Sequence, residues 1–221
     1  MPQTKAPPHF DWAIYADATF AGLAALIPLP LVDLYFEWLF KRRMVRAIAL
    51  RNGRLLNTPT LNELNRNRSG RLRGCLLWPL KLVYTFLKKL SRKILYFLAI
   101  KEAVDNLNTY WHRAFLLDYM MRAGYLDGSQ EDVVLAAETL HLVLKEIDES
   151  PLIQLARQVV GSVHHVLRSL WRWRRRGEED QTVIEAKAQM SQRWGDFQTY
   201  FQGLILLYDE TYTALANKND T

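Results

Sequence analysis

Residues 18–46 read ATFAGLAALIPLPLVDLYFEWLFKRRMVR, and the fold turns on how this stretch is taken. Fifteen uncharged, mostly apolar residues, Ala18 to Val32, lie between Asp17 and Asp33. Pro28 and Pro30 interrupt the run near its end, deny the backbone two donors and set a bend. Lys41, Arg42, Arg43 and Arg46 close it. A transmembrane helix needs about 20 apolar residues, so the run is too short for a conventional span. It reads instead as an apolar helical hairpin with arms at Phe10 to Ile27 and Leu31 to Asn52, its bend marked by Gly22, Pro28, Pro30 and Asp33. Asp33 falls in the first turn of the second arm, where a carboxylate suits the helix dipole, and Asn52-Gly53 is a C-cap signal. Such a hairpin either dips into a lipid surface or is buried in a core. The adjoining basic cluster favours the lipid surface.

Working outward, residues 1–9 form a Pro-rich tail. Asp11 and Asp17 precede the apolar run and no small-residue cleavage motif follows it, which argues against a signal peptide. Residues 57–74 are a polar basic loop carrying Arg66, Arg68, Arg71 and Arg73, with one short helix expected over Thr60 to Asn65. From residue 75 onward the apolar positions recur at three-, four- and seven-residue steps. Gly124 stops the first stretch, and Ser129 with Asp132 forms a capping-box signal for the next. Ser150-Pro151 restarts or kinks that helix, which is expected to continue to Gly177, and the last begins at Glu178. Short connections predict antiparallel neighbours. The expectation is an all-α chain: residues 1–56 a tail and apolar hairpin, 57–74 a basic loop, and 75–221 a long antiparallel, coiled-coil-like three-helix bundle.

Charge is uneven along the chain. The net charge is +6, but residues 1–100 hold 16 Lys and Arg against 5 acids, whereas residues 101–221 hold 13 against 18. A cationic half needs an anionic partner or a solvated surface. The lone Cys75 excludes an intramolecular disulfide and thiolate clusters. It reads as a buried thiol, with acylation as the alternative.

No phosphate-loop, dinucleotide or nucleophile-elbow motif is present, so no catalytic residue is assigned, no cofactor is expected, and the chain reads as non-enzymatic. Glu102, Asp105, Thr109 and His112 share one helix face, and Glu138-x-x-His141 is the pair that di-iron bundles use twice. The pair occurs once here, and the expectation is a solvated or ion-paired face rather than a metal site. His164 and His165 are adjacent, so they point about 100° apart on a helix and cannot easily share an ion.

Three basic-aromatic clusters carry the functional signal. The first is Phe40 to Arg46. The second holds Trp78, Lys81, Tyr84, Lys88, Lys89, Arg92, Lys93 and Tyr96, and the third Trp171, Arg172, Trp173, Arg174, Arg175 and Arg176. Trp and Tyr favour the head-group level of a bilayer, and Lys or Arg pair with its anionic lipids. The same residues could grip phosphate backbones, but they sit on amphipathic helices beside an apolar hairpin, which disfavours nucleic acid.

The stretch GLAALIPLPLVDLYFEWLFKRRMVRAIALRNG resembles the hairpin of the YcjF-like and EcsC-like bacterial membrane-associated helical proteins, at Gly22, Pro28, Pro30, Asp33, Arg43, Met44 and Gly53. The likeness covers about 35 residues. Asn52-Gly53 departs from the Tyr-Gly ending of those families. The resemblance implies association with the cytoplasmic face of a membrane and supplies no catalytic residue. The sequence thus predicts a peripheral or monotopic membrane protein that binds anionic lipid through the hairpin and the basic-aromatic helices. Its acidic half would meet a protein partner or a second copy of the chain. The alternatives are a soluble helical scaffold with the hairpin buried, located in the cytoplasm, or a nucleic-acid-binding helical protein.

Overall fold

The structure, a computed structural model, describes residues 12–26, 32–66, 92–147, 150–161 and 191–219; for 12–14, 32–34, 92–97 and 219 it describes the backbone alone. All regular structure among these residues is helical. Helix α1 spans Trp12–Leu23 and passes into a 3₁₀ turn, Ala24–Leu26. Then follow α2 (Val32–Arg51), α3 (Thr58–Asn65), α4 (Arg92–Ala123), α5 (Gln130–Glu146), α6 (Leu152–Gly161) and α7 (Gln198–Asn219). A further helical run covers residues 191–196.

Local chemistry fixes the ends. At the end of α2, Gly53 takes a left-handed φ of 67°. Its N–H donates to Leu50 O at 3.0 Å, and that of Arg54 donates to Ala49 O at 2.8 Å. Two orphan carbonyls are thereby satisfied in a Schellman turn. Asn57 caps α3 by accepting from the Thr60 N–H at 2.8 Å. Gly124, with φ 87°, ends α4. Ser129 and Asp132 form the expected reciprocal box: Asp132 N–H donates to Ser129 Oγ at 3.2 Å, and Ser129 N–H to Asp132 Oδ2 at 2.7 Å.

The bundle differs from three continuous rods. The second stretch is two helices, α5 ending at Glu146 and α6 beginning at Leu152, where Ser150 Oγ accepts from the Leu152 N–H at 3.1 Å. The last stretch is interrupted at residue 197 before α7 begins. Central helix α4 is the hub: α1, α2, α5 and α6 all pack on it. One hydrophobic core runs from Tyr15 in α1 to Tyr208 in α7, so α1, α2 and the helices after residue 92 share an interior.

The main correction concerns α1. Every residue from Tyr15 to Ala24 is buried. The helix is apolar but for Asp17 and Thr19, and it packs against α4 and α2. Gly22 is no bend; it lies within α1 where the backbones of α1 and α4 approach closely. A Cβ at that position would stand 2.8 Å from Leu107 Cα. Nearby, Trp111 Nε1–H donates to Thr19 Oγ1 at 3.0 Å, and the Thr19 hydroxyl donates to Tyr15 O at 2.7 Å. Trp194 then packs on Tyr15 and Phe201 at ring distances of 4.3 and 4.9 Å. The first arm is therefore core, with no free side to offer to lipid. Among the described residues, no helix is long and apolar enough to cross a membrane.

Candidate functional site

Helix α2 carries two opposed faces. Met44, Val45, Ile48 and Ala49 are buried against the bundle. On the outside, Tyr35, Trp38 and Leu50 are 57%, 53% and 64% exposed. Positions 35, 38, 42, 46 and 50 step by three and four residues, so Arg42 and Arg46 belong to the same stripe as these apolar side chains. The stripe is roughly 22 Å long, at 1.5 Å per residue. Arg42 lies over the Trp38 ring, its guanidinium carbon 5.4 Å from the ring centre. Arg46 is exposed. Arg43, at the edge of the stripe, reaches back to Asp17 at 3.6 Å. Burial raises the Asp17 carboxyl above the usual carboxylate range, and the Arg43 charge partly offsets this. Past the Schellman turn, Leu55 is 90% exposed. Large apolar side chains thus stand in solvent between arginines, at the spacing of one helix face.

Not every residue of the predicted basic cluster joins this face. Lys41 is half-buried on the inward side, one turn after Glu37 and beside Arg113 of α4. Desolvation and the Arg113 charge push its pKa down to about 7, against a smaller upward pull from Glu37. Lys41, half-buried like Arg42, leaves α2 on the stripe of Val45 and Ile48. Helical spacing held that signal: position 41 lies four before 45 and seven before 48. The same spacing marks Tyr35, Trp38 and Leu50 as the outward apolar positions, which charge alone does not single out.

Other predicted positions are outside the described residues: Cys75, Pro28, Pro30, Trp78, Lys81, Lys88, Lys89, Trp171, Trp173, Arg174, Arg175 and Arg176. Asp33 lies in the first turn of α2 and Arg92 and Lys93 in the first turn of α4, with their side chains outside the description.

The candidate metal faces do not converge. Glu102, Asp105 and Thr109 are exposed, whereas His112 is fully buried. Among the described residues, no group of three His, Cys, Asp or Glu could hold a metal ion. His112 instead ties three segments together. Its Nδ1–H donates to Asn108 O at 2.6 Å, which leaves Nε2 as an acceptor facing Tyr200 Oη at 2.7 Å and Ser150 Oγ at 3.2 Å. Burial lowers its pKa to about 4. An open cavity of about 670 Å³ lies beside this cluster, lined by Pro151, Gln154, Gln192, Arg193, Asp196 and Phe197 among others. A serine next to a neutral histidine suggests a nucleophile, but the donors are arranged otherwise. Pro151 has no N–H to stabilise an oxyanion, and the Leu152 N–H already serves Ser150 Oγ. The cluster is a clasp between α4, the α5–α6 junction and α7.

A second clasp closes the far end of the bundle. Tyr119 and Tyr125 both donate to Asp209 Oδ1 at 2.7 Å, and Tyr208 donates to Ala136 O at 3.0 Å. The Tyr125 ring packs edge to face on those of Tyr208 and Tyr212, at 5.2 and 4.7 Å. Burial and the Asp209 carboxylate push the phenols of Tyr119 and Tyr125 upward.

No known protein family, no curated protein and no solved structure matches the chain. The resemblance of residues 18–53 to the YcjF-like and EcsC-like hairpins therefore rests on those residues alone.

Proposed function

We propose that the chain is a non-enzymatic peripheral membrane protein that lays the outer face of α2 on an anionic lipid surface. The observation that carries the reading is the stripe of exposed Tyr35, Trp38, Arg46 and Leu50, with Arg42 half-buried over the Trp38 ring. Tyr and Trp suit the head-group level, where an apolar ring and a polar edge are both accommodated. Arginines near an anionic leaflet contribute about 1 kcal/mol each, and apolar area entering the boundary adds to that. The buried α1 takes no part in the contact. It forms the support on which α2 is presented, and the acidic C-terminal half is left to face a protein partner.

Flotation with liposomes tests this. The full chain is expected to float with vesicles containing phosphatidylserine and to stay behind with phosphatidylcholine alone, the bound fraction falling as salt rises. Trp38→Ala combined with Arg42→Glu and Arg46→Glu should abolish flotation while leaving the helical circular dichroism unchanged, since these side chains face outward. Absence of flotation at low salt would sink the proposal. A second reading, a helical scaffold that acts away from lipid, is favoured by the burial of Tyr15 to Ala24. It predicts that same negative result.

A further inference from the structure

Leu55 is 90% exposed, more than any other large apolar side chain among the described residues. The residues around it are tied down. The Arg54 N–H donates to Ala49 O at 2.8 Å, which folds the connection back against the last turn of α2, the turn that carries Leu50. Asn52 Nδ2 donates to Asp118 Oδ1 at 2.9 Å and pins the connection to α4. The Arg54 guanidinium grips the Asp127 carboxylate with both Nη atoms. Leu56 packs on the core, and Asn57 caps α3. The chain is thus held on both sides of residue 55 while Leu55 itself stands in water. An apolar side chain so placed adds nothing to the core, because area that stays hydrated contributes no burial.

We infer that the turn between α2 and α3 is an insertion point, at which Leu55 enters the apolar boundary of an anionic bilayer together with Leu50. The inference rests on the lipid reading of α2 and adds to it a second anchor. Charge and geometry favour a bilayer as the occupant. Leu55 and Leu50 are the two most exposed of the large apolar side chains, and the hydrogen-bonded turn brings their backbones together. Arg46 lies one turn before Leu50 on the same face and is exposed, so a cation stands where head-group phosphates meet the apolar pair. The carboxylate of Asp127, which an anionic leaflet would repel, is matched by Arg54. A bilayer takes a projecting leucine without a complementary pocket, whereas a stable protein interface buries roughly 1,200 Å² or more. Because the turn is already ordered, insertion fixes little further backbone.

Depth and affinity test this separately. Leu55→Cys is made in a Cys75→Ser chain and labelled with the environment-sensitive fluorophore NBD. On vesicles of phosphatidylcholine and phosphatidylserine at low salt, the emission should rise and shift to the blue. A nitroxide on the acyl chain should quench it more than one on the head group. In flotation, Leu55→Ser should weaken binding about tenfold. Its salt dependence should match the wild type, since the arginines are untouched. Circular dichroism checks that the variant folds, as the exposed position leads us to expect. Equal flotation of wild type and Leu55→Ser overturns the inference and leaves the α2 reading standing. Water-like NBD emission from vesicle-bound chain does the same. A shift that follows protein concentration without vesicles also overturns it, because a second copy then covers Leu55. Failure of the wild-type chain to float overturns both readings.

Discussion

Gly22 and His112 show how single positions set the terms for their neighbours. Gly22 is required by a close approach: its missing Cβ would meet the Leu107 backbone and side chain at 2.8 Å. Backbone cannot rotate out of the way, so α1 must shift off α4. Gly22→Ala is expected to lower stability by about 1–3 kcal/mol, read as a lower urea midpoint at unchanged slope. His112 is held neutral, with a pKa of about 4 against the ordinary 6.5. As pH falls through 6.5 the unfolded chain takes up the proton first, so stability drops progressively until about pH 4, where the folded form is protonated as well. Urea midpoints measured across that window should slope less steeply in His112→Gln. The wild-type loss from this group is at most about 3 kcal/mol. A flat wild-type profile would mean that the imidazole is not buried as described.

At the scale of elements, the parts legible in the sequence are those governed by neighbours in the chain. The Ser129–Asp132 box, the Asn52-Gly53 stop and the Gly124 stop all stand where residue type and spacing placed them. Ser129→Ala should cost about 1 kcal/mol and show as faster amide exchange in the first turn of α5. The direction in which a helix faces was less legible. An arm such as Ala18 to Leu26 is apolar on every side, and composition does not say whether protein or lipid covers it. The covering surface comes from α4, about 90 residues later in the chain, and local pattern is blind to such a partner. Lys41 is a related case: its charge alone points outward, whereas its spacing from Val45 and Ile48 turns it toward the buried side of α2, where it is half-buried.

For the whole molecule, the consequence is that the described helices stand or fall together. The core joins α1 to α7 without a break, so residues 12–51 should not unfold on their own. Trp111 and Trp194 report on that shared interior, and their fluorescence should change over the same denaturant range as the helical circular dichroism. Two separated transitions would indicate that α1 and α2 form an independent unit. Charge is uneven along the chain, with the excess of Lys and Arg in residues 1–100 and the excess of acids in residues 101–221.

The hydrogen bond from Trp111 to Thr19 spans 92 positions of chain. During synthesis α1 is therefore finished long before the helix that will cover it has been made. Contacts of such range are slow to form, and an uncovered greasy helix is prone to stick to whatever it meets. The newborn protein thus passes through an interval in which the face of α1 that packs on α4 has no partner within the chain.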